Sequence, residues 1–187
     1  GSTFFEKYNE YNFKYPSVIK PNEEGSTFGI SIVNSFEDVL NQMTQLKKFV
    51  KKSGIIVENY IKGRELTVGV LNNITLPCVE IKTKGSYYDY NAKYVDNKTK
   101  YICPAELNEM ESSLASNYSI LLNDALGCLD YSRVDFRMDE KGKFYCLEIN
   151  TLPGLTSKSL LPKAANQYKI NFNELVLEIC KLALKRK

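Results

Sequence analysis

Apolar residues alternate with polar ones, or form short unbroken runs, along much of the chain, and this pattern predicts β-strands. Strands are predicted at 15–20, 29–33, 55–61, 64–71, 74–83, 131–138 and 143–150. The pair Asn72-Asn73 lies between two of these runs and predicts a tight hairpin turn. A second hairpin is predicted around residues 139–142.

Other stretches have apolar residues at helical spacing, and three of them follow a residue that favours helix N-termini. Ser35 precedes the first, Asn108 precedes a helix that runs to about Ala125, and Asn171 precedes a helix near the C-terminus. A further short helix is predicted over about 157–167. Strands and helices do not alternate strictly, so the pattern predicts an α+β fold of mostly antiparallel sheets with flanking helices.

Residues 84–105 show no period and contain five tyrosines. Unstructured segments of this length inside compact domains are usually functional or disordered. Tyr88, Lys93 and Tyr94 are the candidate functional side chains here, and ordered tyrosines would suit a lid that closes over a site. An adhesive surface loop would have the same composition.

Composition restricts the available chemistry. The 187 residues are 43% hydrophobic and 25% charged, which is typical of a globular protein. The chain contains no His and no Trp, which excludes an imidazole base, a His-activated nucleophile and a His-ligated metal within it. Chemistry must therefore depend on Lys, Arg, carboxylates, hydroxyls, backbone amides and oxygen-bound metals. The net charge of +3 is too small to predict nucleic-acid binding.

The five cysteines are scattered and form no CxxC pair. This favours reduced thiols in a cytoplasmic protein over a zinc site or a disulfide framework. No apolar stretch reaches the length of roughly 18 residues that a membrane span requires, and no signal-peptide pattern is present. We therefore expect a cytoplasmic protein that does not bind a membrane.

The second predicted hairpin contains the densest group of candidate functional residues. Side chains alternate faces along a strand, which predicts one polar face made of Arg133, Asp135, Glu148 and Asn150. Leu147 is predicted to face the core. Two carboxylates and an amide oxygen suit Mg²⁺ that also binds phosphates, and a nearby guanidinium could stabilise an oxyanion. A solvent-exposed sheet face with a cross-strand ion pair would show the same residues.

Two further segments could bind anions. Residues 150–154 end the hairpin in a Pro-Gly turn, and residues 155–159 then enter a helix, so that amides and hydroxyls are presented together. Lys20 ends a strand ahead of a loop of Gly, Ser and Thr, which could bind phosphates, although by itself such a loop is more often a surface turn. Glu65 could accept hydrogen bonds from adenine or ribose, or be a surface charge.

Taken together, several strings resemble the C-terminal portion of the D-alanine–D-alanine ligases, a family of the ATP-grasp superfamily. They are VIKP at 18–21, EGSTFG at 24–29, ENYI at 58–61, GRELTV at 63–68, YDYNAKY at 88–94, SRVDF at 132–136 and LEINTLPGLTSKSL at 147–160. Glu-x-Asn with an upstream Asp is common to many ATP-grasp enzymes. The YDYxxKY and NTxPGxTxxS strings are narrower and point to this family.

The resemblance implies that ATP and magnesium are bound by this chain. The phosphates of ATP would contact Lys20 and Lys93, adenine would contact Glu58 and the backbone of Ile61, and ribose would contact Glu65. Two Mg²⁺ ions, for which Mn²⁺ could substitute, would be bound by Asp135, Glu148 and Asn150.

The resemblance also implies the reaction. In the family, ATP phosphorylates the carboxylate of a first D-alanine, and the amine of a second D-alanine attacks the acyl phosphate. The implied contacts are Arg133 and the Gly154 amide for the tetrahedral intermediate, Ser159 and Leu160 for the second carboxylate, Tyr88 for substrate, and Ser26 with Tyr94 for linking the lid to the site. Tyr94 is similar to the residue found in the dipeptide-forming members.

The implied fold is ATP-grasp. Residues 1–61 would belong to its small central subdomain, and 62–187 would form its C-terminal subdomain with a lid loop at 84–105. Family members also have an N-terminal domain that binds the first D-alanine, and the residues before Tyr15 are too few for one. We therefore expect a fold that lacks this domain, a chain that by itself does not ligate D-alanine, and a homodimer for the full-length enzyme.

Three other functions are compatible with parts of the pattern. Another ATP-grasp ligase that joins a carboxylate to an amine would share the ATP and metal residues. A fragment that binds ATP without turnover would share them too. Nucleic-acid binding is disfavoured because basic and acidic residues are interleaved along most of the chain.

Overall fold

A computed structural model describes residues 14–22, 29–47, 54–82 and 99–185. These residues form two compact units, of which the first lies within 14–60 and the second comprises 61–82 and 99–185. The chain passes from one unit to the other between Tyr60 and Ile61. In the described ranges no helix is both long enough and apolar enough to cross a membrane.

The first unit packs one helix on a three-stranded antiparallel sheet. Its elements are β1 Ser17–Pro21, β2 Ser31–Val33, α1 Phe36–Leu46 and β3 Ile55–Asn59, with β1 in the centre of the sheet. Ser35 caps the helix by accepting a hydrogen bond from the Asp38 amide, as predicted. The core consists of Ile19, Val33, Val39 and Leu46.

The second unit contains one larger antiparallel sheet and three helices. The strands are β4 Gly63–Leu71, β5 Ile74–Thr75, β6 Val79–Lys82, β7 Lys100–Ile102, β8 Tyr131–Asp139 and β9 Phe144–Asn150. The helices are α2 Glu109–Ala125, α3 Leu160–Gln167 and α4 Phe172–Leu184. The strand order is β7-β6-β4-β8-β9, and β5 pairs with β4. The predicted α+β class with antiparallel sheets is confirmed.

The two faces of the large sheet have different chemistry. One face carries the buried side chains Leu66, Val68, Val134, Phe136 and Met138, which pack with Ala115 of α2. Strand residues point alternately to opposite faces. The intervening residues of β4 and β8 therefore lie on the other face, which carries the candidate functional residues.

The helix ends follow the sequence closely. Asn108 and Glu111 form a reciprocal capping box at the start of α2, and Asn171 and Glu174 form another at the start of α4. The Asn72-Asn73 turn is also confirmed, because both residues have positive φ, at 50° and 60°, as a primed hairpin turn requires.

Two predictions in residues 74–105 are wrong. The predicted single strand 74–83 is divided into β5 and β6, because Pro77 has no backbone N–H to contribute to a ladder. The predicted lid loop 84–105 includes β7, which pairs with β6 through Lys100, Tyr101 and Ile102. Three residues are too few to show the alternation of a strand, so the sequence does not predict β7. Its pairing with β6 defines it. Residues 84–98 lie outside the described ranges.

A β-bulge in β9 corrects another prediction. Asp135 pairs with Glu148, but the next residue of β8, Phe136, pairs with Cys146, so Leu147 has no partner in the ladder. Leu147 is therefore exposed and does not face the core as predicted. The bulge reverses the alternation, and Phe144 packs against the core with its ring 5.8 Å from that of Phe136.

A buried ion pair holds β4 to β6. Arg64 donates two hydrogen bonds to the Glu80 carboxylate, at 2.9 and 2.8 Å, and one to the Glu106 carbonyl. Burial raises the pKa of Glu80, but hydrogen bonding and the positive charges of Arg64 and Lys82 outweigh it and leave the pKa below its ordinary value. Nearby, burial raises the pKa of the Cys78 thiol to about 12.

Candidate functional site

Neighbouring strands of the large sheet align the candidate residues in rows. In one row, Asp135 of β8 lies between Thr67 of β4 and Glu148 of β9. In the next row, Arg133 lies between Gly69 and Asn150. The four residues predicted to share a face, Arg133, Asp135, Glu148 and Asn150, are therefore brought together. The pairing of β8 with β9 in this hairpin produces the arrangement.

Asp135 is held firmly by two neighbours. Its Oδ1 accepts from the Thr67 hydroxyl at 2.6 Å and from Arg133 Nε at 2.8 Å, and its Oδ2 accepts from an Arg133 terminal nitrogen at 2.6 Å. A carboxylate oxygen has about two lone-pair sites. On this count Oδ1 is saturated by these two bonds, and Oδ2 keeps a position for a further ligand.

Thr67 was not identified from the sequence. It is 1% exposed, and its hydroxyl is aimed at a candidate metal-binding carboxylate. A single Thr inside an apolar strand gives no warning of such a role. Its alternation with Glu65 is the only signal that placed it on the polar face.

The other two oxygen donors are more open. Glu148 is exposed, and Asn150 is half-buried, with its Oδ1 accepting from the Leu152 amide at 3.0 Å. This bond turns the chain at the end of β9. Close to these groups, burial raises the pKa of the Cys146 thiol, and the charges of Asp135 and Glu148 raise it further. The thiol therefore stays protonated at neutral pH.

The turn after β9 brings the predicted substrate residues together. A Cβ placed on Gly154 would lie 3.1 Å from Ser159 Oγ, so the two residues are in direct proximity. Ser159 is the N-cap of α3, but its side chain makes no capping bond and instead contacts Thr156 Oγ1 at 2.8 Å. No side chain therefore caps the first turn of α3, and the amides of Leu160 and Leu161 are left in the arrangement that binds anions.

Helix α3 is fixed on the candidate face by a glycine. A Cβ on Gly69 would lie 2.5 Å from Leu161 Cδ1, so a larger residue there would force the buried Leu161 side chain in the first turn of the helix to shift. Gly69 lies opposite Arg133. The start of α3 is therefore held beside the row that contains Arg133 and Asn150.

The predicted adenine and ribose residues of the second unit share one partner, Arg137. It donates to the Ile61 carbonyl at 3.1 Å and to the Gly63 carbonyl at 2.9 Å, and it lies 3.4 Å from the Glu65 carboxylate. Strand alternation puts Arg137 on the same face as Arg133 and Asp135, but nothing in the sequence indicates a role for it. Long-range backbone contacts of this kind leave no local pattern.

In the first unit, Lys20 and Glu58 bind each other. The distance from Lys20 Nζ to Glu58 Oε1 is 2.8 Å, and both side chains are partly exposed. They lie on adjacent strands, where Val18 is opposite Glu58 and Lys20 is opposite Ile56. The four remaining predicted residues, Ser26, Tyr88, Lys93 and Tyr94, lie outside the described residues.

Comparisons with known proteins agree with one another. The family model described as D-ala D-ala ligase C-terminus matches residues 2–181. A D-alanine--D-alanine ligase from Buchnera aphidicola subsp. Schizaphis graminum is 46% identical over 170 residues, which are 90% of this chain and 55% of the relative. The one from Saccharophagus degradans is 44% identical over 161 residues, 86% of this chain and 51% of the relative. The chain spans about half the length of these curated relatives.

Solved structures give the same result. The D-alanine--D-alanine ligase from Bacillus anthracis complexed with ATP superposes with a TM-score of 0.79 and 28% identity, over 97% of this chain and 56% of that one. The VanG D-Ala:D-Ser ligase from Enterococcus faecalis superposes with a TM-score of 0.83 and 28% identity, over 97% and 53%. The fold is that of the ATP-grasp ligases.

Proposed function

Because the chain belongs to the D-alanine–D-alanine ligase C-terminal family, we propose that the protein joins two D-alanines in an ATP-dependent reaction that supplies a peptidoglycan precursor. The observation that carries the proposal is the strand register that sets Asp135 opposite Glu148 and Arg133 opposite Asn150. It concentrates hard oxygen donors and one guanidinium on a single face, beside a turn that offers backbone amides.

The donor set fits Mg²⁺. Asp135 can contribute Oδ2, Glu148 is accessible, and the Asn150 amide oxygen retains a second lone pair. In the described ranges no set of three or more Cys, Asp or Glu side chains is arranged to bind a metal. Each of the proposed two ions, Mg²⁺ or Mn²⁺, would therefore complete its coordination with ATP phosphate oxygens and water. Bound there, the metal would neutralise phosphate charge.

The proposed nucleotide contacts are the ones that the resemblance implies. Lys20 would exchange Glu58 for phosphate oxygens, and Glu58 would then be available to the amino group of adenine. The Ile61 amide and Glu65 would recognise adenine and ribose. Lys93 would bind phosphate as the resemblance implies.

The reaction would proceed in two transfers. The γ-phosphoryl group of ATP passes to a carboxylate oxygen of the first D-alanine and ADP is released. The amine of the second D-alanine attacks the acyl carbon, and the tetrahedral intermediate collapses with cleavage of its C–O bond to phosphate. The amine proton passes to the departing phosphate, and the peptide bond remains. Arg133 and the Gly154 amide would stabilise the oxyanion of that intermediate. The uncapped start of α3, at Ser159 and Leu160, would bind the carboxylate of the second D-alanine.

Three further residues complete the proposal from the resemblance. Tyr88 would contact substrate, and Ser26 and Tyr94 would link the lid loop to the site. The resemblance also suggests that the full-length protein would be a homodimer and would act in the cytoplasm. D-Alanine and ATP would be the small-molecule partners.

The test is ATP-dependent phosphate release by the whole protein that contains this chain, measured with and without D-alanine. The wild-type protein should release phosphate only when D-alanine is present, and Glu148→Gln should reduce the rate by roughly a hundredfold or more. Glu140→Gln is the matched control, since Glu140 is an exposed carboxylate of the same hairpin that pairs with Lys62. Equal loss in both variants, or release that does not require an amino acid, would contradict the proposal.

A second candidate is a ligase that takes a different second substrate. It is favoured by the similarity to a protein named as a D-Ala:D-Ser ligase. In a competition assay with equal D-alanine and D-serine, the dipeptide products identify the preferred amine. A dominant D-Ala–D-Ser product would replace the first proposal while leaving the ATP site unchanged.

A further inference from the structure

We propose that Arg137 is a positioning residue for the nucleotide: it fixes the segment Ile61–Glu65 in the conformation that recognises adenosine. The inference rests on the proposed ATP-dependent function, because that function gives Ile61 and Glu65 their roles. In this proposal Arg137 acts on the nucleotide only through that segment.

The contacts of Arg137 converge on one short segment. Its Nε donates to the Ile61 carbonyl at 3.1 Å, and one terminal nitrogen donates to the Gly63 carbonyl at 2.9 Å. The other terminal nitrogen lies 3.4 Å from Glu65 Oε2. One planar guanidinium therefore binds two backbone carbonyls and one carboxylate within five consecutive residues.

The segment needs such a support. It begins where the chain passes from the first unit to the second, and the β4 ladder starts only at Gly63. The Ile61 carbonyl thus precedes the ladder and depends on Arg137 for a partner. Rotation of this peptide would also turn the backbone next to it, which includes the amide proposed to recognise adenine.

The β8 strand provides a rigid base for this contact. Arg137 lies opposite Glu65 in the β4–β8 ladder and is 8% exposed. Gly63 has φ +150°, and a Cβ there would collide with the Met138 carbonyl, so the backbone of the segment approaches β8 as closely as glycine allows. A buried guanidinium in this position is held by both its strand and its acceptors.

The fork geometry of Arg is required. Lysine would keep a positive charge near Glu65 but has a single nitrogen. That nitrogen cannot replace both of the Arg137 nitrogens that donate to the two carbonyls. Methionine of similar length would keep the packing and remove every donor. The two substitutions therefore separate charge attraction from backbone positioning.

The test measures, by calorimetry, binding of Mg²⁺–ATP and of Mg²⁺–tripolyphosphate to the whole protein that contains this chain. Arg137→Met should weaken ATP binding roughly tenfold, the equivalent of losing one charge-assisted contact, and leave tripolyphosphate binding unchanged. Arg137→Lys should be intermediate for ATP. Lys82→Met is the control, since Lys82 also pairs with a carboxylate of this sheet, that of Glu80, and lies outside the segment Ile61–Glu65, and it should change neither affinity.

Other outcomes overturn the inference. Equal weakening of both ligands by Arg137→Met would show a general structural role, and full restoration by Arg137→Lys would show that charge alone matters. If Arg137→Met does not fold, the Lys variant still decides between these results. A wild-type protein that binds neither ligand would overturn the proposed function itself, whereas normal wild-type binding with unchanged variants would overturn only the role of Arg137.

Discussion

Asp135 and Glu148 lie directly opposite each other on antiparallel strands, although both are carboxylates. Like charges in this position destabilise a sheet. Arg133 binds Asp135, and among the described residues no Lys or Arg is within ion-pair distance of Glu148. The pair is therefore a place where a cation would be favoured.

Removing one of these charges should stabilise the metal-free chain and weaken its response to magnesium. We expect Glu148→Gln to raise the unfolding midpoint by about 1–4 °C without metal, since the cross-strand repulsion is worth about 0.2–1 kcal/mol. Added Mg²⁺ should raise the wild-type midpoint more than that of the variant. Thermal melts monitored by circular dichroism measure both effects.

Glu140→Gln again provides the comparison, because it removes an exposed carboxylate from the turn of the same hairpin. It should keep the full magnesium response. Identical magnesium responses in the two variants would argue against a cation site at Glu148.

Loss of the Thr67 hydroxyl should destabilise the second unit. Thr67→Val keeps the shape of the side chain and removes a 2.6 Å bond to Asp135, which should lower the free energy of unfolding by about 1–3 kcal/mol. Urea denaturation provides the measurement. Thr44→Val is the control, since the Thr44 hydroxyl bonds only a neutral carbonyl on an exposed helix, and a loss as large as that of Thr67→Val would contradict the prediction.

The Arg64–Glu80 pair should give the chain an acid-sensitive component of stability. The pKa of Glu80 is lowered in the folded state, so its contribution is present above the ordinary carboxylate pKa and is lost as the pH falls through the lowered value. Arg64→Met should cost on the order of 3 kcal/mol at pH 7, because it leaves a buried carboxylate without its main partner.

In the Arg64→Met variant, the dependence of stability on pH should have the opposite sign. Without Arg64, burial would dominate and raise the pKa of Glu80, so acidification from pH 7 to 5 should stabilise the variant while leaving the wild-type protein nearly unchanged. Urea midpoints across this range test the prediction. Parallel pH profiles for the two proteins would disprove it.

Cys78 should reduce stability at alkaline pH. Its pKa is raised to about 12, so the folded chain keeps a proton that the unfolded chain loses near pH 9, and the free energy of unfolding falls as the pH rises above about 9. Cys78→Ala should flatten this slope between pH 8 and 10. The wild-type Cys78 should also react with iodoacetamide far more slowly than the exposed Cys180, as peptide mass spectrometry can show.

A methyl group at Gly154 should disturb the proposed substrate turn. Its Cβ would lie 3.1 Å from Ser159 Oγ, and displacement of either group should lower the rate of D-alanine ligation by roughly tenfold or more. Ser159→Ala removes the obstructing oxygen. The further loss caused by Gly154→Ala should therefore be smaller on the Ser159→Ala background, and strictly additive losses would show that the two residues act separately.

Much of the architecture could be predicted because it is specified locally. Ser35, Asn108 and Asn171 determine helix starts through bonds to residues three positions ahead, and Asn72-Asn73 determine a turn through their tolerance of positive φ. The polar face of β8 also follows from strict alternation. Each of these features depends only on residues a few positions apart in the sequence.

The missed features depend on distant partners. β7 is defined by pairing with β6, and the roles of Thr67 and Arg137 are defined by Asp135 and by the carbonyls of Ile61 and Gly63. The bulge at Leu147 is set by how β9 matches β8. The hydrophobic pattern within one strand does not show how that strand pairs with another.

Because of the bulge, the number of residues in β9 determines which of its side chains face the core. Residues before Leu147 and residues after it are out of phase, so Phe144 can reach the core while Glu148 stays with the polar row. If the bulge straightened without the loss of a residue, one half of β9 would shift by one position and either Phe144 or Glu148 would move to the opposite face, whereas deletion of Leu147 would leave both in place. In this hairpin, the presence of one extra residue matters as much as the identity of its neighbours.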